Sequence, residues 1–247
     1  MLPLMDSVPR RSPPVTVHLI ILACAIVFAA ELTLTQEQLE QVFHLFGVVP
    51  ARYTHPAWAR WVGFPIDDYW PYLTSLFLHG GWLHIISNMW ALWIFGDNVE
   101  DRMGPLRFTL FYLLCGVGAG VVHTLTNHDS TVPAVGASGA ISGVMAAYIL
   151  LFPTARLLLM VPIFFVPFFF EAPAMLFVFV WFVSQFFNGV ASLLSEGAVG
   201  GVAWWAHLGG FAMGALLTPL FVRSASGRRP LQGDEGALEA ALARRRW

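Results

Sequence analysis

Four residues carry side chains that could do chemistry: His84 and Asn88 in HGGWLHIISNMW, Ser138 in VGASGAISG, and His207 in WWAHLGGFAMG. A serine hydroxyl becomes a nucleophile when an adjacent base takes its proton, and neutral imidazole suits that role near neutral pH. Ser138 would attack a scissile carbonyl, with His207 accepting the proton and passing it to the leaving amine. The tetrahedral intermediate places negative charge on oxygen, which preorganised donors must meet. Asn88 offers an amide and His84 a ring nitrogen, four residues apart on one helix face. The first backbone N–H groups of the helix at Ser138 add further donors. No Asp or Glu adjoins His207 in sequence, so packing or a neutral hydrogen bond is expected to orient the imidazole. Each feature alone has a plainer reading. Serines among glycines usually bond back to their own helix, a lone histidine in an apolar segment is commonly structural, and His84 with Asn88 could simply tie two helices together.

These residues need close neighbours, and glycine supplies the means. Gly136 and Gly139 flank Ser138, while Gly139/Gly143 and Gly210/Gly214 repeat at four-residue spacing. Such faces let helix backbones approach each other. A metal centre is not expected: His79 and His84 are five apart, there is no H-E-x-x-H, and Cys24 and Cys115 sit in apolar runs. No cofactor is implied.

The elements that position these groups follow from composition. The chain has 247 residues, 57% of them hydrophobic and 11% charged, against about 25% charged in ordinary soluble domains. The net charge of -2 gives no support to a nucleic-acid partner. Runs of about 20 apolar residues read as bilayer-spanning helices, and the spans fall near 15–30, 82–98, 107–124, 136–153, 172–190 and 202–222. An outer loop, 31–72, is too polar to cross and rich in aromatic residues. The stretch 157–170 is fourteen apolar residues with Pro162 and Pro167 inside it, too short and too interrupted for a crossing. It is expected to lie at the interface or dip inward. With six spans, Arg10, Arg11, Arg102, Arg107, Arg156 and the arginines from Arg223 onward share one side, with Arg52 and Arg60 on the other. That is the positive-inside pattern, with both termini cytoplasmic. The expectation is thus an all-α polytopic membrane protein: a cytoplasmic segment at 1–14, a six-helix domain at 15–222 and a cytoplasmic tail at 223–247. Spans two, four and six then begin on the outer side, placing His84, Ser138 and His207 at matching shallow depth.

In order and on alternate spans, HGGWLHIISNMW, GASGAISG and AHLGGFAMG resemble the rhomboid family of intramembrane serine proteases. DNVEDRMGPLRF and the arginine of FPTAR resemble its bacterial branch. The resemblance runs from about Phe46 to Val222. It implies a six-helix bundle with a Ser–His dyad at the base of a water-filled cavity open to the outside. By motif, the nucleophile is Ser138, the base His207, and the oxyanion residues Asn88 and His84. Gly136 precedes the nucleophile by two. The implied function is cleavage of peptide bonds in or beside transmembrane segments of membrane proteins, in the inner membrane of a bacterial cell, with lipid as the other partner. A dyad-less family branch that only binds or escorts membrane proteins is the main rival. A small transporter is the other, disfavoured because the polar cluster is shallow and no internal repeat is visible.

Overall fold

The computed structural model describes residues 1–65, 67–164, 166–194 and 203–223. The expected tail lies, beyond Arg223, outside the described residues. The first helix, α1 (Val15–Glu31), follows Pro13 and Pro14 and is apolar from Leu19 to Ala30. Its first turn is closed from a distance, because the Glu100 carboxylate accepts from the N–H groups of Thr16 and Val17 at 2.8 and 2.9 Å. Those donors would otherwise have no intrahelical partner.

The segment after α1 is a set of short helices: α2 (Gln36–Phe46), α3 (Pro50–Thr54), α4 (Pro56–Val62) and α5 (Pro71–Thr74). Thr35 and Gln38 form a reciprocal capping box at the start of α2. The other three begin with proline, whose fixed φ and missing N–H suit a first helical position. Arg52 holds this region together. It is 1% exposed, donates to the carbonyls of Leu45 and Pro65, and pairs with Asp68 at 2.8 Å.

Five long helices complete the bundle: α6 (Trp82–Met103), α7 (Pro105–Thr126), α8 (Ser138–Leu151), α9 (Ala174–Leu194) and α10 (Trp204–Phe221). Gly104, at φ 80°, makes the single-residue reversal between α6 and α7. Pro105–Thr126 and Ala174–Ala191 are long and apolar enough to cross a bilayer, and Val15–Glu31 and Ser138–Leu151 are shorter apolar helices. The chain is a membrane-associated, helical protein. At the centre stands α8, buried from Gly139 to Tyr148, with α6, α7 and α10 packed around it.

The stretch 157–170 has a form that a helical reading does not contain. Strands β2 (Arg156–Ile163) and β3 (Val166–Pro173) make an antiparallel hairpin between α8 and α9. A strand near the start of the chain, β1 (Leu2–Asp6), pairs with β2, giving the order β1-β2-β3. Leu157 and Leu159 bury one face of the hairpin base against the bundle.

Candidate active site

Ser138 is the first residue of α8, His84 stands in the first turn of α6, and His207 in the first turn of α10. The N-terminal ends of three helices therefore meet at one level of the bundle. The His207 Nε2 to Ser138 Oγ distance is 2.7 Å, within reach for proton transfer. On its other side, His207 Nδ1 lies 2.7 Å from Gln185 Oε1, on α9. An amide oxygen only accepts, so Nδ1 carries the proton, and Nε2 is left as the lone pair facing the serine hydroxyl. The Gln185 amide nitrogen in turn donates to Ser184 Oγ at 3.1 Å. The indole of Trp181 packs on His207 with ring centroids 5.8 Å apart. His207 is 8% and Gln185 6% exposed, so bulk water does not compete for either bond.

Of the two means expected to orient His207, packing and a neutral hydrogen bond, both are present, from Trp181 and Gln185. Gln185 was not among the residues expected at the site. The available signal was a lone amide in the apolar run FVFVWFVSQFF.

Gly136 shapes the approach to Ser138. It has φ 122°, a conformation that side-chain-bearing residues rarely adopt. A Cβ there would come 2.6 Å from His84 Nε2 and 3.5 Å from Asn88 Nδ2. The imidazole and the amide thus lie against the backbone two residues before the serine. The N–H of Gly136 is tied to the Ser75 carbonyl at 2.8 Å. Asn88 Nδ2 is buried and has no hydrogen-bond acceptor among the described residues, which leaves it as a donor aimed at this space. A cavity of about 40 Å³ adjoins Ser138, bounded by Gly136, Gly139, His123 and Ala206. That is room for a water molecule. A larger cleft of about 520 Å³, lined by His55, Trp58, Arg60 and Asp129, lies between the segment after α1 and the α7–α8 connection and does not include Ser138.

The remaining glycines act through packing. A Cβ on Gly210 would overlap the Gly139 carbonyl, one on Gly214 would overlap the Gly143 backbone, and one on Gly139 would come 2.5 Å from Ala119 Cβ. Only at this backbone-to-backbone separation do α8 and α10 bring serine and imidazole into contact. No cluster of His, Cys, Asp and Glu able to hold a metal occurs among the described residues.

A helical membrane bundle with a serine and an imidazole in contact near its helix ends defines a class, and comparison with known proteins gives the family. A family model of the Rhomboid domain matches residues 67–224. Rhomboid-like relatives include RHOMBOID-like protein 5 of Arabidopsis thaliana, 36% identical over 32% of this chain and 25% of that protein. Another from the same plant, RHOMBOID-like protein 12, mitochondrial, is 32% identical over 58% of this chain and 44% of that one. Rhomboid protease GluP of Bacillus subtilis (strain 168) is 39% identical over 32% of this chain and 15% of its own length. The chain belongs to the rhomboid family. These matches span less than half the length of the relatives.

Proposed function

We propose that this chain is an intramembrane serine endopeptidase that cleaves peptide bonds in or next to transmembrane segments of membrane proteins. The observation that carries the reading is the single imidazole held between Ser138 Oγ and Gln185 Oε1 at 2.7 Å on each side. A structural histidine needs one satisfied nitrogen. This one has its tautomer fixed and its remaining lone pair spent on a serine at a helix N-terminus.

In this mechanism Ser138 Oγ attacks the scissile carbonyl as its proton moves to His207 Nε2. The imidazolium that forms keeps its Nδ1 proton on Gln185. The oxyanion is met by Asn88 Nδ2, by His84 and by the first N–H groups of α8. His207 then protonates the departing amine, and a water takes the amine's place to hydrolyse the acyl-enzyme by the same steps in reverse. The space beside Ser138 supplies a place for that water. Six crossing helices, with both termini cytoplasmic, put this end of the bundle toward the outer or periplasmic side of a bacterial inner membrane. Water then needs only a shallow path. The expected partners are transmembrane protein substrates and lipid.

The test is labelling of detergent-solubilised protein with a serine-reactive fluorophosphonate, beside Ser138→Ala and His207→Ala, together with cleavage of a generic transmembrane substrate. The reading expects labelling and cleavage in the parent and neither in the two folded variants. A folded parent that neither labels nor cleaves is not a protease, and a rhomboid-like binding protein becomes the better account.

A further inference from the structure

The three-stranded sheet has no part in the dyad, and its surface is unusual. Most antiparallel sheets with an exposed face keep that face polar. Here both faces of the hairpin become apolar toward its turn. Phe164 is 93% exposed, and Val166, Phe168 and Phe169 are each more than half exposed. Phe168 and Phe169 are consecutive in β3, so they point to opposite faces. Charge appears only at the base, where Arg156 Nε donates to Glu171 Oε2 at 3.1 Å. A protein partner would cover one face, whereas acyl chains cover both. The backbone follows the same logic. Pro162 stands opposite Pro167 near the turn, which removes two N–H donors where hydrocarbon would offer no acceptor.

The direction of the sheet comes from its bonds to α6. Asp6 Oδ2 accepts from Asn98 Nδ2 at 2.8 Å, close to the C-terminal end of that helix. The Pro3 carbonyl accepts from Trp90 Nε1 at 2.6 Å, on a residue about two turns nearer the N-terminal end. Two helical turns rise roughly 11 Å, and three strand residues cover roughly 10 Å. So β1 runs nearly along the α6 axis. Because Leu2 pairs with Met160, the first half of the hairpin runs beside α6, alongside the bundle and not beneath it.

We infer that the hairpin is a re-entrant element. It leaves and returns at the Arg156 end, and its aromatic turn dips into the boundary between headgroups and acyl chains, where the open edge of β3 still reaches water. The exposed Met175, Leu176, Phe179 and Val180 of α9 continue the same apolar surface. This inference needs the bundle to cross the membrane and is independent of any chemistry at Ser138.

The test places a nitroxide at Phe164→Cys, and separately at Phe169→Cys, in the full chain reconstituted into phosphatidylcholine/phosphatidylglycerol vesicles. Cys24 and Cys115 are buried, so the introduced thiol takes the label, and unchanged helical circular dichroism establishes folding. Collisions with dissolved oxygen should exceed those with a water-soluble nickel chelate by about ten-fold at both sites, with the order reversed at Glu171→Cys. Nickel access at 164 and 169 equal to that at 171 would place the hairpin in water and overturn the inference. Protection from both reagents would overturn it too, pointing to a protein cover such as a second copy. A protein with an inert Ser138 gives the same readout, so this result and the catalytic test fail separately.

Discussion

At the scale of single residues, Gln185 takes, in the proposed mechanism, the place that a carboxylate holds in triads. It fixes which imidazole nitrogen carries the proton, and it adds no charge to an apolar site. Gln185→Leu removes the acceptor while keeping the volume. Loss of one such hydrogen bond, about 1–3 kcal/mol, corresponds to a fall in kcat of about 10- to 100-fold, with KM on a transmembrane substrate little changed. Asn88→Ala removes the proposed oxyanion donor and should cost about 10²–10³-fold in kcat. Steady-state cleavage in detergent checks both, and an unchanged kcat in either variant would remove that residue from the mechanism. The polar residues on the three helix ends stood out in sequence because lipid penalises them, so their presence in apolar spans demanded a reason. Gln185 has the same polarity, but its partner is on another helix. Only the approach of α9 to α10 gives it one.

At the scale of elements, the seam between α8 and α10 and the sheet each rest on few contacts. Gly210→Ala must push α10 away from the Gly139 carbonyl. Overpacking of this kind typically costs about 1–3 kcal/mol, so thermal unfolding in detergent should move down and fluorophosphonate labelling should fall with it. Asp6 ties the sheet to the bundle by accepting from Tyr148 Oη at 2.6 Å and from Asn98 Nδ2. Asp6→Ala takes the acceptor from three donors, on Tyr148, Asn98 and Val8, and should destabilise the docked sheet by about 1–3 kcal/mol, whereas Asp6→Asn keeps an acceptor oxygen. Limited proteolysis near residues 1–14 reads the difference. Burial holds the Asp6 carboxyl above its ordinary value, outweighing the hydrogen bonds from Tyr148, Val8 and Asn98 that pull it down. A raised value in the folded state means that docking is strongest below the unfolded value, about 4, and weakens as pH rises through the folded one. Protease protection of the 1–14 segment should therefore decrease with rising pH in the parent, and Asp6→Asn should flatten that profile. The sequence excluded a helical crossing at 157–170 through length and two prolines. It could not reveal strands there. With both faces apolar, the residues show no alternation of period two, and the pairing strand lies at the other end of the chain.

At the scale of the whole molecule, the arginine distribution makes a prediction that the bundle alone does not. Ala57→Cys, on the segment after α1, should react with a membrane-impermeant maleimide in intact cells. Ser12→Cys should react only after permeabilisation. The reverse pattern would invert the topology and put Ser138 on the cytoplasmic side. The approximate limits of the long apolar helices were readable because apolar runs must be about as long as the bilayer is thick. The three-dimensional arrangement was less so, since α8 is surrounded by neighbours that its sequence does not name.

The pairing of β1 with β2 also sets an order of events during synthesis. Leu2 meets Met160, so the first strand leaves the ribosome about 150 residues before its partner exists, some 10–30 seconds at usual translation rates. For that interval β1 waits unpaired while α1, α6, α7 and α8 are made in turn. Closing the sheet therefore follows synthesis of every helix from α1 to α8, and it joins the two ends of that stretch.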